Sequence, residues 1–522
     1  MRVPYTPRIM AASRNRSVEP LVLDGRSLTL EAVGRAAAGP VGCRIAPKAR
    51  ERMAASRAVI ERAALGAEPV YGVNTGFGEL ATVRIAPAKL ALLQERLLLS
   101  HAAGVGEPLP DAAVRAMLLL RANALARGFS GVRPEVVERL LELLERDLLP
   151  VVPSRGSVGA SGDLAPLAHL ALPVIGRGRL KRRGEVVAAA GALREAGIEP
   201  LVLEPKEGLA LINGTQGITA LLALSALEAR RLVRLADLAG ALSADALRGT
   251  DTAFDRRLHE LRPHPGQLRS AENLHRLMAG SEIRESHRRD DVRVQDPYCV
   301  RCMPQVHGAA RDLLDDVERR LAVELNSVTD NPLVFPEDGA VLSGGNFHGE
   351  PVALAADVLA LAVAELGAIS ERRIEKLTNP AFSALPPFLV EEAGLNSGFM
   401  IAQVTAAALV SENKTLCHPA SVDSIPTSAD KEDHVSMGMW AAIKLGQVVA
   451  NVRRVLAIEL LAAAQGIDLL RPLSSSAPLE TLHRDLRERV PFWREDREMA
   501  PDLEAAEGFL DDGLDPHLEG LE

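Results

Sequence analysis

From Glu207 to Leu247 the chain carries a long, largely apolar stretch with helical spacing. A helix that is apolar on several faces must be covered on several faces, and other helices are the surfaces that do so. Stretches of the same kind recur at Arg311–Ser327, Glu350–Arg373, Phe399–Leu416 and Ala441–Gln465. Amphipathic helices are expected at Ala112–Leu125 and at Val136–Leu149, the second stopped by Pro150 and Pro153. Aromatic residues make up only 3% of the chain, and β-branched strand patterns are scarce. The expected fold is mainly α, a large helical bundle extended by contacts between copies, with function in loops held by its helices. With no clear linker, residues 21–522 read as one unit. It has a loop-rich part to about residue 204, a long-helix bundle over about 205–470, and a helical segment over about 471–522. Residues 1–20 read as a tail without fixed structure, and Asp511–Glu522 as a frayed end.

The net charge of −9 argues against a nucleic-acid binder or an anionic-membrane binder. The basic run Gly176–Gly184 has no interleaved aromatics and reads as a solvated hairpin. Four cysteines are too few for a disulfide framework in 522 residues, which fits a reducing compartment. Cys299 and Cys302 have CxxC spacing, but no second pair completes a zinc site, so no metal is expected. The most apolar candidate for a membrane span, Val352–Leu366, is interrupted by Asp357 and Glu365. No secretory signal is visible, and a cytoplasmic location is expected.

The most informative stretch is Gly156-Ser-Val-Gly-Ala-Ser-Gly-Asp163. Its three glycines relax the steric limits on the backbone. A turn is the simplest consequence, since Gly and Ser favour turns. A chemical one is also open. The amide nitrogen of Gly162 could attack the carbonyl carbon of Ala160, and loss of water would close a five-membered ring. Loss of the Ser161 hydroxyl as a second water would leave an exocyclic methylene, a strong electrophile. Gly159-Ala-Ser161-Gly162 is one residue short of GxSxG, so Ser161 is a poor hydrolase nucleophile. Asp163 could cap a helix beginning near Leu164.

Context decides between turn and electrophile. Gly156–Leu172 resembles the signature of the aromatic amino acid ammonia-lyase family. The resemblance continues, in family order, through Tyr71–Gly78, Leu99–Gly106, Asn213–Gln216, Gln295–Cys302, Ser343–His348, Ser411–Lys414 and Ser424–Ala429. It spans about residues 20 to 470. It implies a fumarase- and aspartase-like helical fold and a homotetramer in which each active site draws on three chains. It also implies a methylidene-imidazolone made from Ala160, Ser161 and Gly162, with Ala160 and Gly162 cross-linked and Ser161 dehydrated. Neither pyridoxal phosphate nor a metal is implied.

By the same resemblance, Tyr71 removes the β-proton and Tyr298 is a second active-site tyrosine on a loop that closes over the substrate. A free phenol titrates near pH ~10, so the site must stabilise the phenolate or take the proton as it transfers. Arg301 resembles the clamp for the substrate carboxylate, where two parallel donors suit the task. Asn213 and Gln295 resemble residues that support the electrophile and the substrate, and Phe347 one that packs near the ring. His101, after Ser100, matches the histidine-specific branch, and Glu412 could accept an imidazole N–H or assist proton transfer. The expected reaction is release of ammonia from L-histidine to give trans-urocanate, the first step of histidine degradation. A tyrosine or phenylalanine ammonia-lyase, or an aminomutase, would share the scaffold; a non-catalytic helical scaffold is the reading from a different class. A mature chain should weigh two waters less than its encoded mass by intact-mass spectrometry, and a full encoded mass would refute the cyclised tripeptide.

Overall fold

The computed structural model describes residues 19–522, apart from 290 and 292. The expected tail at residues 1–20 therefore lies, save for Glu19 and Pro20, outside the described residues. The mainly α expectation holds, with 59% of the chain helical. Two compact units are formed. The first takes the chain up to Leu227 with Glu318–Asp357 and Pro419–Gly446; the second takes Glu228–Val317, Val358–His418 and Gln447–Glu522.

The first unit carries every strand among the described residues, all short and at the margins of helices. Leu21–Leu23 runs parallel to Cys43–Ile45. Arg179–Arg182 pairs antiparallel with both Leu149–Pro150 and Glu185–Ala188. The basic run is thus a hairpin, turned by Arg183 and Gly184 at positive φ. The helix expected to reach Leu149 ends at Glu145 instead. Asp147 takes the left-handed region at φ 52°, and Leu149 is drawn into strand pairing.

The long stretch from Glu207 is broken. One helix covers Glu207–Ile212 and the next Gln216–Ala246. A helix end buried in this way leaves carbonyls that need donors. Arg121, fully buried on the Asp111–Ala126 helix, supplies them. Its guanidinium donates to the carbonyls of Ala210 and Asn213, the latter at 3.0 Å, and to Gln216 Oε1 at 2.7 Å. Burial pushes the Arg121 pKa down to about 10, with Asp330 opposing, so the group stays charged.

Among the described residues the second unit is built of helices alone. Its interior holds two linked charged clusters. Asp237 accepts from His307 Nδ1 at 2.8 Å, Arg311 at 2.5 Å and Asn273 at 2.9 Å. Burial works to raise the Asp237 pKa, but Arg311 and His307 outweigh it and hold the carboxylate ionised. Arg373 and Glu459, both fully buried, form the second pair, and Ser243 and Ser370 donate to the same carboxylate. The chain end, expected to fray, is anchored here. Asp515 pairs with Arg231, Glu522 exchanges hydrogen bonds with Asn273, and Leu518 and Leu521 are buried.

The helix Glu350–Thr378 is long and apolar enough to cross a bilayer by length and composition, despite Asp357 and Glu365. Two-thirds of its most apolar stretch is buried within the protein, as in a core helix.

Removing one partner of a buried ion pair leaves the other charge uncompensated, which costs about 3–5 kcal/mol. Glu459→Ala should therefore lower stability by that order in chemical denaturation. The joint change Arg373→Met with Glu459→Leu should cost much less. Equal losses would assign the effect to packing rather than charge.

Candidate active site

The turn around Ser161 is fastened to the break between the two helices. Gly162 forms a parallel bridge with Gly214, and the Asp163 amide donates to the Gly214 carbonyl at 2.7 Å. Gly162 sits at φ 72°, and a Cβ there would lie 2.1 Å from the Gly214 oxygen. A Cβ on Gly214 would in turn lie 2.3 Å from Arg121 Nη1. Glycine is required at both positions, because neither the backbone nor a buried guanidinium can yield that much. Ala160 and Gly162 are buried while Ser161 is half-buried, so its hydroxyl alone reaches outward.

Asp163 precedes the helix Leu164–Ala171 but makes no capping bond to it. Its carboxylate reaches the start of the other helix, accepting from the Ile218 amide at 2.9 Å and from Ser157 Oγ at 3.2 Å. A helix N-terminus attracts a carboxylate. Burial still dominates and pushes the Asp163 pKa up to about 7.

Asn213 lies in the break. Its Nδ2 donates to the Asn331 carbonyl at 3.1 Å, while its Oδ1 is buried with no hydrogen-bond partner among the described residues. The glycine cradle at Gly162 fits a ring built from Ala160-Ser161-Gly162, and the orphaned acceptor beside it leaves a place for an N–H donor of a bound molecule.

The other expected residues of the first unit are His101, Tyr71 and Phe347. His101 ends the helix Leu90–His101. Its Nδ1 lies 2.9 Å from the Leu97 carbonyl, so the proton belongs on Nδ1 and Nε2 keeps its lone pair. Burial lowers the His101 pKa, with the Leu97 carbonyl and Glu432 opposing, which favours the neutral ring. Tyr71 is half-buried edge-on to Phe77, and its hydroxyl oxygen accepts from the Gly78 amide at 3.2 Å. Asn74 braces that loop through bonds to Ala63, Glu68 and Val70. Phe347 is half-buried in the turn before Glu350. No hydrogen bond joins Tyr71 or Phe347 to the tripeptide among the described residues.

The remaining expected residues belong to the second unit. Gln295, Tyr298 and Glu412 are exposed, Tyr298 at 69%. Arg301 donates its Nε–H to the Asp296 carbonyl at 3.0 Å and lies 4.5 Å over the Tyr298 ring, which orients its fork. Glu412 sits on the helix Met400–Leu416. Cys299 is buried, and burial pushes its thiol pKa up; no cluster of three metal-ligating side chains occurs among the described residues.

Sequence reasoning missed Glu432. Its carboxylate accepts from Ser161 Oγ at 3.0 Å. It sits in a polar loop with no periodic signal, and only the fold brings it to the turn.

The aromatic amino acid lyase model matches residues 28–488. The chain belongs to the aromatic amino acid lyase family and is a carbon–nitrogen lyase. It is 57% identical over 504 residues to a histidine ammonia-lyase of Anaeromyxobacter dehalogenans, covering 95% of this chain and 99% of that one. Among solved structures it resembles histidine ammonia-lyase from Trypanosoma cruzi, at 47% identity and a TM-score of 0.89 over 96% of this chain and 95% of that one. It also resembles tyrosine aminomutase from Streptomyces globisporus, at 40% identity and a TM-score of 0.90 over 95% and 97%.

Asp163 makes the fold sensitive to pH in a defined direction. Below the unfolded carboxyl pKa of about 3.9 both states hold the proton, and the buried group costs nothing. As pH climbs from there to the folded value of about 7, the unfolded chain has lost a proton that the folded state still holds, so stability falls across that window and levels off above it. Asp163→Asn removes that loss. The variant's melting temperature should gain on the parent's between about pH 4 and about pH 7 and hold that gain above; a difference constant with pH would contradict this.

Proposed function

We propose that the chain eliminates ammonia from L-histidine to give trans-urocanate, using an electrophile formed from Ala160, Ser161 and Gly162. The observation that carries this reading is the 57% identity to a histidine ammonia-lyase along nearly the whole of both chains. The cradle at Gly162 supports it, because it suits a ring built in that turn, and the orphaned Asn213 Oδ1 suits a donor such as the substrate ammonium group. The methylidene-imidazolone supplies an electrophilic carbon that captures the substrate amine and makes it a better leaving group.

The chain's own side chains do the rest. Tyr71 takes the β-proton at its phenolic oxygen, which the Gly78 amide holds in place. Arg301 grips the substrate carboxylate with parallel donors, its plane set by Asp296 and Tyr298. His101 presents its Nε2 lone pair to the substrate ring N–H, and Glu412 takes or steers a second ring proton. Asn213, Gln295 and Phe347 line the bound substrate, and Tyr298 closes over it. Exposed Gln295, Tyr298 and Glu412 suit a site assembled from three chains of a homotetramer, where a neighbour covers them.

The likeness to a tyrosine aminomutase favours one alternative, since a phenol can also bond to His101. Offering L-histidine, L-tyrosine and L-phenylalanine side by side decides between them. Urocanate absorbance should rise with histidine, and faster turnover of tyrosine would overturn the assignment. Ser161→Ala should abolish turnover with helix content unchanged, and Tyr71→Phe should lower kcat by about 10²–10⁴. His101→Phe should harm histidine turnover more than phenylalanine turnover.

A further inference from the structure

Two waters must leave the Ala160-Ser161-Gly162 turn, and they leave from different atoms. The first comes from the Ala160 carbonyl on ring closure. The second carries away the Ser161 hydroxyl, and hydroxide is a poor leaving group. Water has a pKa near ~15.7, so an acid must meet Oγ as its bond to Cβ breaks.

One carboxyl group is built against that oxygen. Ser161 Oγ lies 3.0 Å from Glu432 Oε1. The other Glu432 oxygen accepts from Thr427 Oγ1 at 2.7 Å and Ser428 Oγ at 2.8 Å, so the carboxyl plane is fixed from behind. The backbones of Thr427 and Glu432 pair with each other, closing a small hairpin. The segment that follows is sewn to the glycine-rich turn. The Met437 amide donates to the Val158 carbonyl at 2.8 Å, and Ser436 Oγ donates to the Gly159 carbonyl at 3.1 Å. A Cβ on Gly159 would lie 2.1 Å from that hydroxyl, so the contact leaves no slack. Asp163, the other carboxyl at the turn, is spent on Ile218 and Ser157 and makes no bond to Ser161.

We propose that Glu432 is the general acid that protonates the departing Ser161 hydroxyl and so completes maturation of the active site. The Cβ–Oγ bond breaks with its electron pair on oxygen, and the Glu432 carboxyl proton makes that oxygen water. The Cα–H proton passes to solvent, and its electron pair forms the Cα=Cβ double bond. Glu432 accepts from Ser161 Oγ as a carboxylate, so it takes one proton from solvent before the step, which reverses that hydrogen bond, and the sum is one water lost without oxidation or reduction. The inference rests on the proposed electrophile but concerns only the second of its two waters.

Intact-mass spectrometry of the full chain separates the two steps. Glu432→Gln keeps the shape and can still accept from Thr427 and Ser428 but has no acidic proton. Dehydration should slow by about 10²–10⁴, the usual contribution of general acid catalysis, so a species one water below the encoded mass should accumulate in folded protein. Glu432→Asp should restore the loss of both waters. Combining Ser161→Cys with Glu432→Gln should also restore maturation, with loss of water and hydrogen sulfide, because hydrosulfide is a far weaker base than hydroxide and leaves without an acid. Loss of both waters from Glu432→Gln at the parent's rate would overturn the proposal. So would its full encoded mass, which would place Glu432 in ring closure, or a one-water stall in the cysteine double variant. A parent chain at full encoded mass would instead sink the electrophile reading itself.

Discussion

The hydrogen bond from the Asp163 amide to the Gly214 carbonyl, 2.7 Å long, joins the two halves of the site's scaffold. On one side is the turn that carries Ala160, Ser161 and Gly162. On the other is the gap where a long apolar helix stops at Ile212 and restarts at Gln216. Each feature needs the other. The gap leaves backbone groups unpaired in the interior, and a turn of three glycines has little to hold it. Arg121 and the Asp163 carboxylate pair with the buried helix ends. The compressed turn is therefore kept by a rigid, fully buried frame rather than by its own sequence.

The second unit solves a different problem. Its expected site residues sit at the surface, while its interior is locked by Asp237, His307, Arg311, Arg373 and Glu459. Arg373 also donates to the Cys299 carbonyl at 3.3 Å, one residue from Tyr298. The charged interior thus holds the short helix Tyr298–Arg301 from one side and leaves Tyr298 exposed. Buried ion pairs are costly to desolvate, and here they fix position rather than add stability.

Much of this was legible in the chain. The apolar helices at Glu350, Met400 and Gly438 fall where their spacing places them, because periodic burial is a local property that sequence records. The basic hairpin was legible from its local composition, charged and without aromatics. The break at Asn213 was hidden inside a continuous apolar pattern, since the arginine that satisfies its carbonyls is distant in the chain. Asp163 was readable as a cap, but the helix start it serves is another one, chosen by packing. The chain end looked like a polar tail and is pinned by Arg231 and Asn273, partners more than two hundred residues away.

The sequence by itself determined the helical architecture, the glycine-rich turn around Ser161 and the family, because these rest on local spacing and on blocks that keep their order. Only the tertiary structure decided what stands beside Ser161. Glu432 lies 271 positions along the chain from Ser161, in a loop with no pattern of its own. Contacts at such separation carry no periodic trace in the sequence. They exist because buried backbone groups on the two segments must find partners, and the partners they find put a carboxyl group on the serine hydroxyl.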